Sequence, residues 1–187
     1  TPNTNVNTWY GLSDDGAGIG ARATELQRRS IVAAGTSAGN VVRGFEQNTD
    51  VPAGKKGWFI DLLKPPTPGT AEGERIIGDS ALIGTTLLVS SVIPNSDGCG
   101  SGGRGYVNAL EAFTGTSVEP NFFDVDGDGE YSDDVVTYGG NTLPVGSVDL
   151  GVARHTQGLV IDYLLFVGGS GGGNRRVKVT NPATTGR

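Results

Sequence analysis

Three stretches of this chain are built alike: an apolar β-type run, a loop of small residues, then a second apolar run. They are SIVAAGTSAGNVVRGFE from Ser30, TLLVSSVIPNSDGCGSGGRGYVNALEAFTG from Thr86, and YLLFVGGSGGGNRRVKVTNPATTG from Tyr163. Apolar, β-branched residues on both sides of a Gly/Ser turn form antiparallel hairpins. Hairpins that recur at irregular spacing point to a sheet array of the β-propeller kind rather than to a helical bundle. Further strands are predicted at Thr8–Leu12, at 57–62 (GWFIDL), at 75–77 and at Ala81–Ile83. The prolines of KPPTPGTAEG keep 64–73 out of any sheet ladder, so that stretch reads as a surface loop. Only GARATELQRRS, from Gly20, has helical character, over three turns at most. The expected fold is all-β: a single domain over 1–187 made of antiparallel hairpins, arranged as a partial or shortened propeller.

Composition narrows this further. Glycine makes up 32 of 187 residues, but with no G-X-Y period, which excludes collagen, and the apolar runs exclude wholesale disorder. The chain contains no methionine, so it reads as a processed product or a piece excised from a longer protein, and a leader would be invisible here. No apolar run approaches the roughly 18 residues of a membrane span. Cys99 is single and cannot form an internal disulfide. A net charge of −6 without a basic stripe argues against a nucleic-acid partner.

The negative charge is local. DVDGDGEYSDD, 124–134, holds six carboxylates, and without them the chain carries 14 charges of each sign. Such crowding opposes folding unless a cation sits among the acids. Asp124, Asp126 and Asp128 occupy positions 1, 3 and 5 of an EF-hand-type loop, Gly129 the sharp turn at 6, and Glu130 position 7, which offers its carbonyl. The ending departs from that pattern: Ser132 stands at 9 and Val135 at 12, so Asp133 or Asp134 must supply the closing carboxylate. The flanks are strand-like. The reading is an EF-hand-like calcium loop inserted between strands, with Ca2+ held by Asp124, Asp126, Asp128, the Glu130 carbonyl and Asp133, and Asp134 or Ser132 completing the shell. The bland alternative is a solvated acidic turn.

Other motifs favour their bland readings. GTSAG at 35–39 matches a nucleophile elbow, but NVVRGFE after it is strand-like and only His155 could serve as base, so a hairpin turn is expected. GAGIGA at 16–21 lacks the βαβ unit of a dinucleotide site. GGSGGG at 168–173 lacks the Lys-Ser/Thr of a phosphate loop. His155, alone of its kind, reads as a surface or packing residue, and Trp9 and Trp58 as packing residues.

Over 56–115 the order GWFIDLL, GERII, a strand ending VIPNSDGC, a Gly-rich turn and ALEAFTG resembles the C-terminal region of PilY/PilC-type proteins, the type IV pilus biogenesis and tip-adhesin factors. FFDVDGDG, TWYGLSDDG and the closing TTGR look like that family too. The resemblance implies a β-propeller-like domain with a calcium loop, forming the C-terminal part of a longer propeller protein. It further implies export to the bacterial cell surface or pilus tip and a non-enzymatic role in pilus extension, retraction and adhesion. Implied partners are minor pilins, the rest of the propeller protein, and surfaces or host receptors. Seven four-stranded blades need far more than 187 residues, so three or four blades' worth is expected, with open strand edges available for homo-oligomer contacts. Two alternatives stand beside this reading: a secreted self-assembling β protein derived from such a domain, and a fragment of a quinoprotein-like propeller enzyme, since ALEAFTG also resembles those repeats.

Overall fold

The computed structural model describes residues 5–76, 78–94, 104–152, 158–161, 164–168 and 174–179, with side chains up to Asp149. In chain order the strands begin with β1 (Thr8–Leu12), a single helical turn α1 (Arg22–Glu25), β2 (Gln27–Arg29), β3 (Ile31–Ser37), β4 (Asn40–Phe45), β5 (Gly57–Asp61), β6 (Arg75–Ile76) and β7 (Ala81–Ile83). They continue with β8 (Thr86–Ile93), β9 (Arg104–Glu111), β10 (Phe123–Asp124), β11 (Val135–Tyr138), β12 (Asn141–Pro144), β13 (Ser147–Val152), β14 (Gly158–Ile161), β15 (Leu164–Gly168) and β16 (Asn174–Val179). The chain is all-β, as expected.

The centre is a seven-stranded sheet in the order β3-β4-β13-β9-β8-β6, with β7 also paired to β8. The first two predicted hairpins are present, as β3–β4 and β8–β9, and the third pairs as β15–β16. They do not form separate blades. β13 inserts between β4 and β9 and joins the first two hairpins into one sheet. Three smaller sheets, β1-β5-β2, β11-β12 and β10-β16-β15-β14, complete the described fold.

Strand alternation sends side chains to both faces of the large sheet, and both faces are covered. On one face Phe45 and Leu110 join Ile31, Trp58, Ile60 and Leu62, so the β1-β5-β2 sheet packs there, with Trp9 and Ile76 at the margin. On the other, Val42, Val107, Ala109 and Val148 meet Phe122, Phe123, Val136 and Leu143. The β11–β12 hairpin lies so close on this second face that a Cβ on Gly44 would fall within 2.6 Å of Val136 Cγ1. Burying side chains of this size stabilises the fold by about 1.5–3 kcal/mol each.

A polar network sits inside the first face. Arg43 donates from both terminal nitrogens to Glu74, at 2.7 and 2.9 Å, and from one of them to Asn108 Oδ1 at 2.9 Å. Ser147 Oγ donates to the same Asn108 oxygen at 2.7 Å, and Ser91 Oγ donates to Glu74. The guanidinium lies 3.6 Å from the Tyr106 ring centroid. Burial pushes the Glu74 carboxyl up, but the Arg43 charge and the hydrogen bonds from Arg43 and Ser91 prevail and hold it below its ordinary value. This pair fastens the segment before β6 to β4, β9, β13 and β8.

The expected helix also needs correction. The helical stretch from Gly20 shrinks to α1, and Gln27–Arg29 instead forms β2, parallel to β5. Leu26 is buried and Arg29 reaches Thr49 and Thr114, so tertiary pairing overrides the helix preference of Leu, Gln and Arg. GTSAG is a hairpin turn: Ser37 pairs with Asn40, and Ala38 and Gly39, both at positive φ (46° and 76°), form the two-residue connection. Cys99, His155, 169–173 and the closing TTGR lie outside the described residues.

Candidate metal centre

Phe122 and Phe123, in edge contact at 5.2 Å and both buried, anchor the chain before the acidic loop. Phe123 and Asp124 form β10, which pairs with β16. After the loop, Val135 begins β11 and Val136 enters the core. Apolar residues on both sides therefore hold the loop ends together, and the flanking elements are strands rather than the helices of an EF-hand.

Within the loop the carboxylates bind backbone amides. Asp124 Oδ1 accepts from Gly127 N at 2.6 Å and Oδ2 from Gly129 N at 3.1 Å. Asp126 accepts from Asp128 N at 3.1 Å, Asp128 from Glu130 N at 2.7 Å, and Asp134 Oδ2 from Val125 N at 2.9 Å. Gly127 and Gly129 have φ of 83° and 93°, the left-handed backbone that lets the chain coil around these oxygens. Asn121 clamps the base, its side-chain amide donating to Tyr131 O at 2.6 Å and Asp134 O at 2.9 Å.

The result is two overlapping groups of acids. Carboxylate oxygens of Asp124, Asp126 and Asp134 lie within 4.8 Å of one another, and so do those of Asp126, Asp128 and Asp133. Asp126 belongs to both. Asp124 and Asp134 are each 2% exposed, whereas the second group faces solvent. Glu130 and Ser132 stand apart from these groups: Ser132 Oγ donates to Glu130 Oε1 at 2.8 Å. Burial, above all, pushes the Asp134 carboxyl up to about 6; the Val125 amide opposes this, and Asp126, Asp124 and Asp133 add to it. The donor set is all oxygen and strongly anionic, the chemistry of a hard divalent cation. Sequence reading overlooked Asn121, because an Asn before a Phe pair has no metal signature; its role comes from the two carbonyls that the fold brings to it.

These features define an all-β sheet-array domain with an acid-lined loop set between two sheets. The fold matches the crystal structure of the Pseudomonas aeruginosa PilY1 C-terminal domain with a TM-score of 0.75 and 21% identity, covering 96% of this chain and 38% of that one. In sequence, the chain is 37% identical over 124 residues to the type IV pilus biogenesis factor PilY1 homolog of Xylella fastidiosa, covering 66% of this chain. It is 31% identical over 78 residues to the type IV pilus biogenesis factor PilY1 of Pseudomonas aeruginosa PAO1, covering 42% of this chain. Sequence and fold together support a PilY1-type C-terminal region. It spans 10% and 6% of the lengths of these two relatives. No protein-family model matches it. Among the described residues, no helix is long and apolar enough to cross a membrane.

Proposed function

We propose that this chain is a calcium-binding, non-enzymatic part of a pilus-tip or cell-surface protein that works in type IV pilus assembly, retraction and adhesion. The pilus role rests on the relatives, both type IV pilus biogenesis factors. In this reading the sheets are a portion of a larger propeller-like domain, and the partners are the rest of that domain, minor pilins and the surfaces to which the pilus attaches.

The observation that carries the calcium reading is the gathering of five aspartates into two groups that share Asp126. Ca2+ would be held by Asp124, Asp126 and Asp134 or by Asp126, Asp128 and Asp133, with backbone carbonyls such as that of Glu130 and water completing six to eight oxygens. The ion would supply positive charge where the fold has packed only negative charge. Its mechanical consequence follows from the loop ends: Asp124 closes β10, in the four-stranded sheet, and Asp134 leads into β11, whose two-stranded sheet packs against the large one. Closing the loop around a cation ties these two layers together. Without the cation, mutual repulsion loosens the tie, so the surface formed by both layers responds to external calcium. Isothermal titration with Ca2+ and with Mg2+ tests the reading: calcium should bind and magnesium should compete poorly, and no heat with either ion leaves the loop a solvated turn.

A further inference from the structure

A groove on the opposite side of the molecule from the loop-bearing face has the features of a peptide site. Leu62 N donates to Asn7 O and Ser13 N to Lys56 O, which places the hydrogen-bonded pairs of β1 and β5 on the odd residues of β1. The N–H and C=O groups of Thr8, Tyr10 and Leu12 therefore point away from β5, and among the described residues no strand lies on that side. Edges of this kind are ordinarily protected by charge or proline. Thr-Trp-Tyr-Gly-Leu has neither, and Tyr10 and Leu12 are 44% and 57% exposed.

Beside this edge lies a cleft of about 390 Å³ whose floor is Trp9, Leu62 and Ile76. Arg75, on β6, forms its far wall. Asn7 ties the two walls together by donating to Glu74 O at 2.8 Å. The Arg75 guanidinium makes one long hydrogen bond, 3.5 Å to Gly73 O, and pairs with no carboxylate among the described residues. The neighbouring Glu74 carboxylate is turned inward to Arg43.

We propose that this groove binds an extended peptide strand that adds to the β1 edge, sets alternate apolar side chains on Trp9, Leu62 and Ile76, and places an acidic side chain against Arg75. Backbone pairing supplies the affinity, the apolar floor the register, and the arginine the charge preference. The site shares no residue with the acidic loop and stands without the calcium reading.

The test uses the whole chain, in calcium and in chelator, titrated with a short capped peptide of alternating threonine and valine carrying one glutamate. Amide shifts of Thr8, Tyr10 and Leu12 should saturate in both conditions, and the same peptide with lysine in place of glutamate should bind about tenfold more weakly. Arg75→Gln should remove that difference, and Leu12→Lys should remain folded while losing affinity. Equal binding of the two peptides, shifts that map elsewhere, or a β1-mediated dimer that the peptide does not displace would each overturn the proposal.

Discussion

The carboxylates of Asp124 and Asp134 face each other across the two ends of the acidic loop, buried to the same degree and within 4.8 Å. Ten positions apart in sequence, they are brought together by Phe123 and Val136, which root the loop in one core cluster. Two buried like charges at this distance destabilise a fold that has nothing between them.

Calcium should therefore raise stability. At a hundredfold excess over Kd the gain is about 2.7 kcal/mol, and thermal melting with calcium against chelator reads it directly. Asp126→Asn, which touches both acid groups, should lose most of the gain, and Glu130→Gln, whose carboxylate partners Ser132, should lose little. Identical melting points in calcium and chelator would remove the metal reading.

In chelator, stability should depend on pH through Asp134. Its folded value of about 6 lies above the ordinary 3.8, so between these values the folded state holds more protons than the unfolded one. The contribution is then fully present below about pH 4 and is lost as pH rises through 6. Urea titrations across this range should show the decline in the native protein and a flatter profile in Asp134→Asn, which keeps an acceptor for Val125 N. Saturating calcium should abolish the decline.

Glu74→Gln should cost on the order of 3–5 kcal/mol, because it strips the counter-charge from a guanidinium with almost no exposure. The double change Arg43→Met with Glu74→Met should recover much of that loss, since an apolar pair leaves no orphaned charge. Denaturant midpoints of the single and double variants test it; equal losses in both would show that the pair matters only through its packing.

Gly115→Ala should destabilise by about 1–3 kcal/mol. Gly115 has φ of 71° and lies against the Trp58 indole, where an added Cβ would overlap the ring. Trp58 also donates to Ala112 O at 2.9 Å, so displacing the ring breaks a partly buried hydrogen bond. Quenching of tryptophan fluorescence should rise along with the loss of stability. A variant with native stability would mean that the ring can shift without cost.

The sequence by itself determined what depends on neighbours along the chain. Ala38 and Gly39 could form only a tight reversal between IVAAGTS and NVVRGF, so the β3–β4 hairpin was legible. The alternation of aspartate and glycine from Asp124 marked a loop that coils its oxygens inward. The same local logic applies to β11–β12, whose Gly139–Gly140 turn joins VVTY to NTLP. Tertiary structure decided what depends on partners far off in sequence. The helix preference of LQRRS yielded because Gln27–Arg29 found a strand to pair with in β5. Arg43, in an otherwise apolar strand, is buried because Glu74, 31 positions later, arrives to neutralise it. β13 lies between two hairpins and joins them into one sheet, a pairing between strands distant in sequence that no local stretch specifies. Residue types fix the short-range turns and the charge of the loop; which edges meet and which charges are buried follow from the free energy of whole-chain packing, which no local stretch contains.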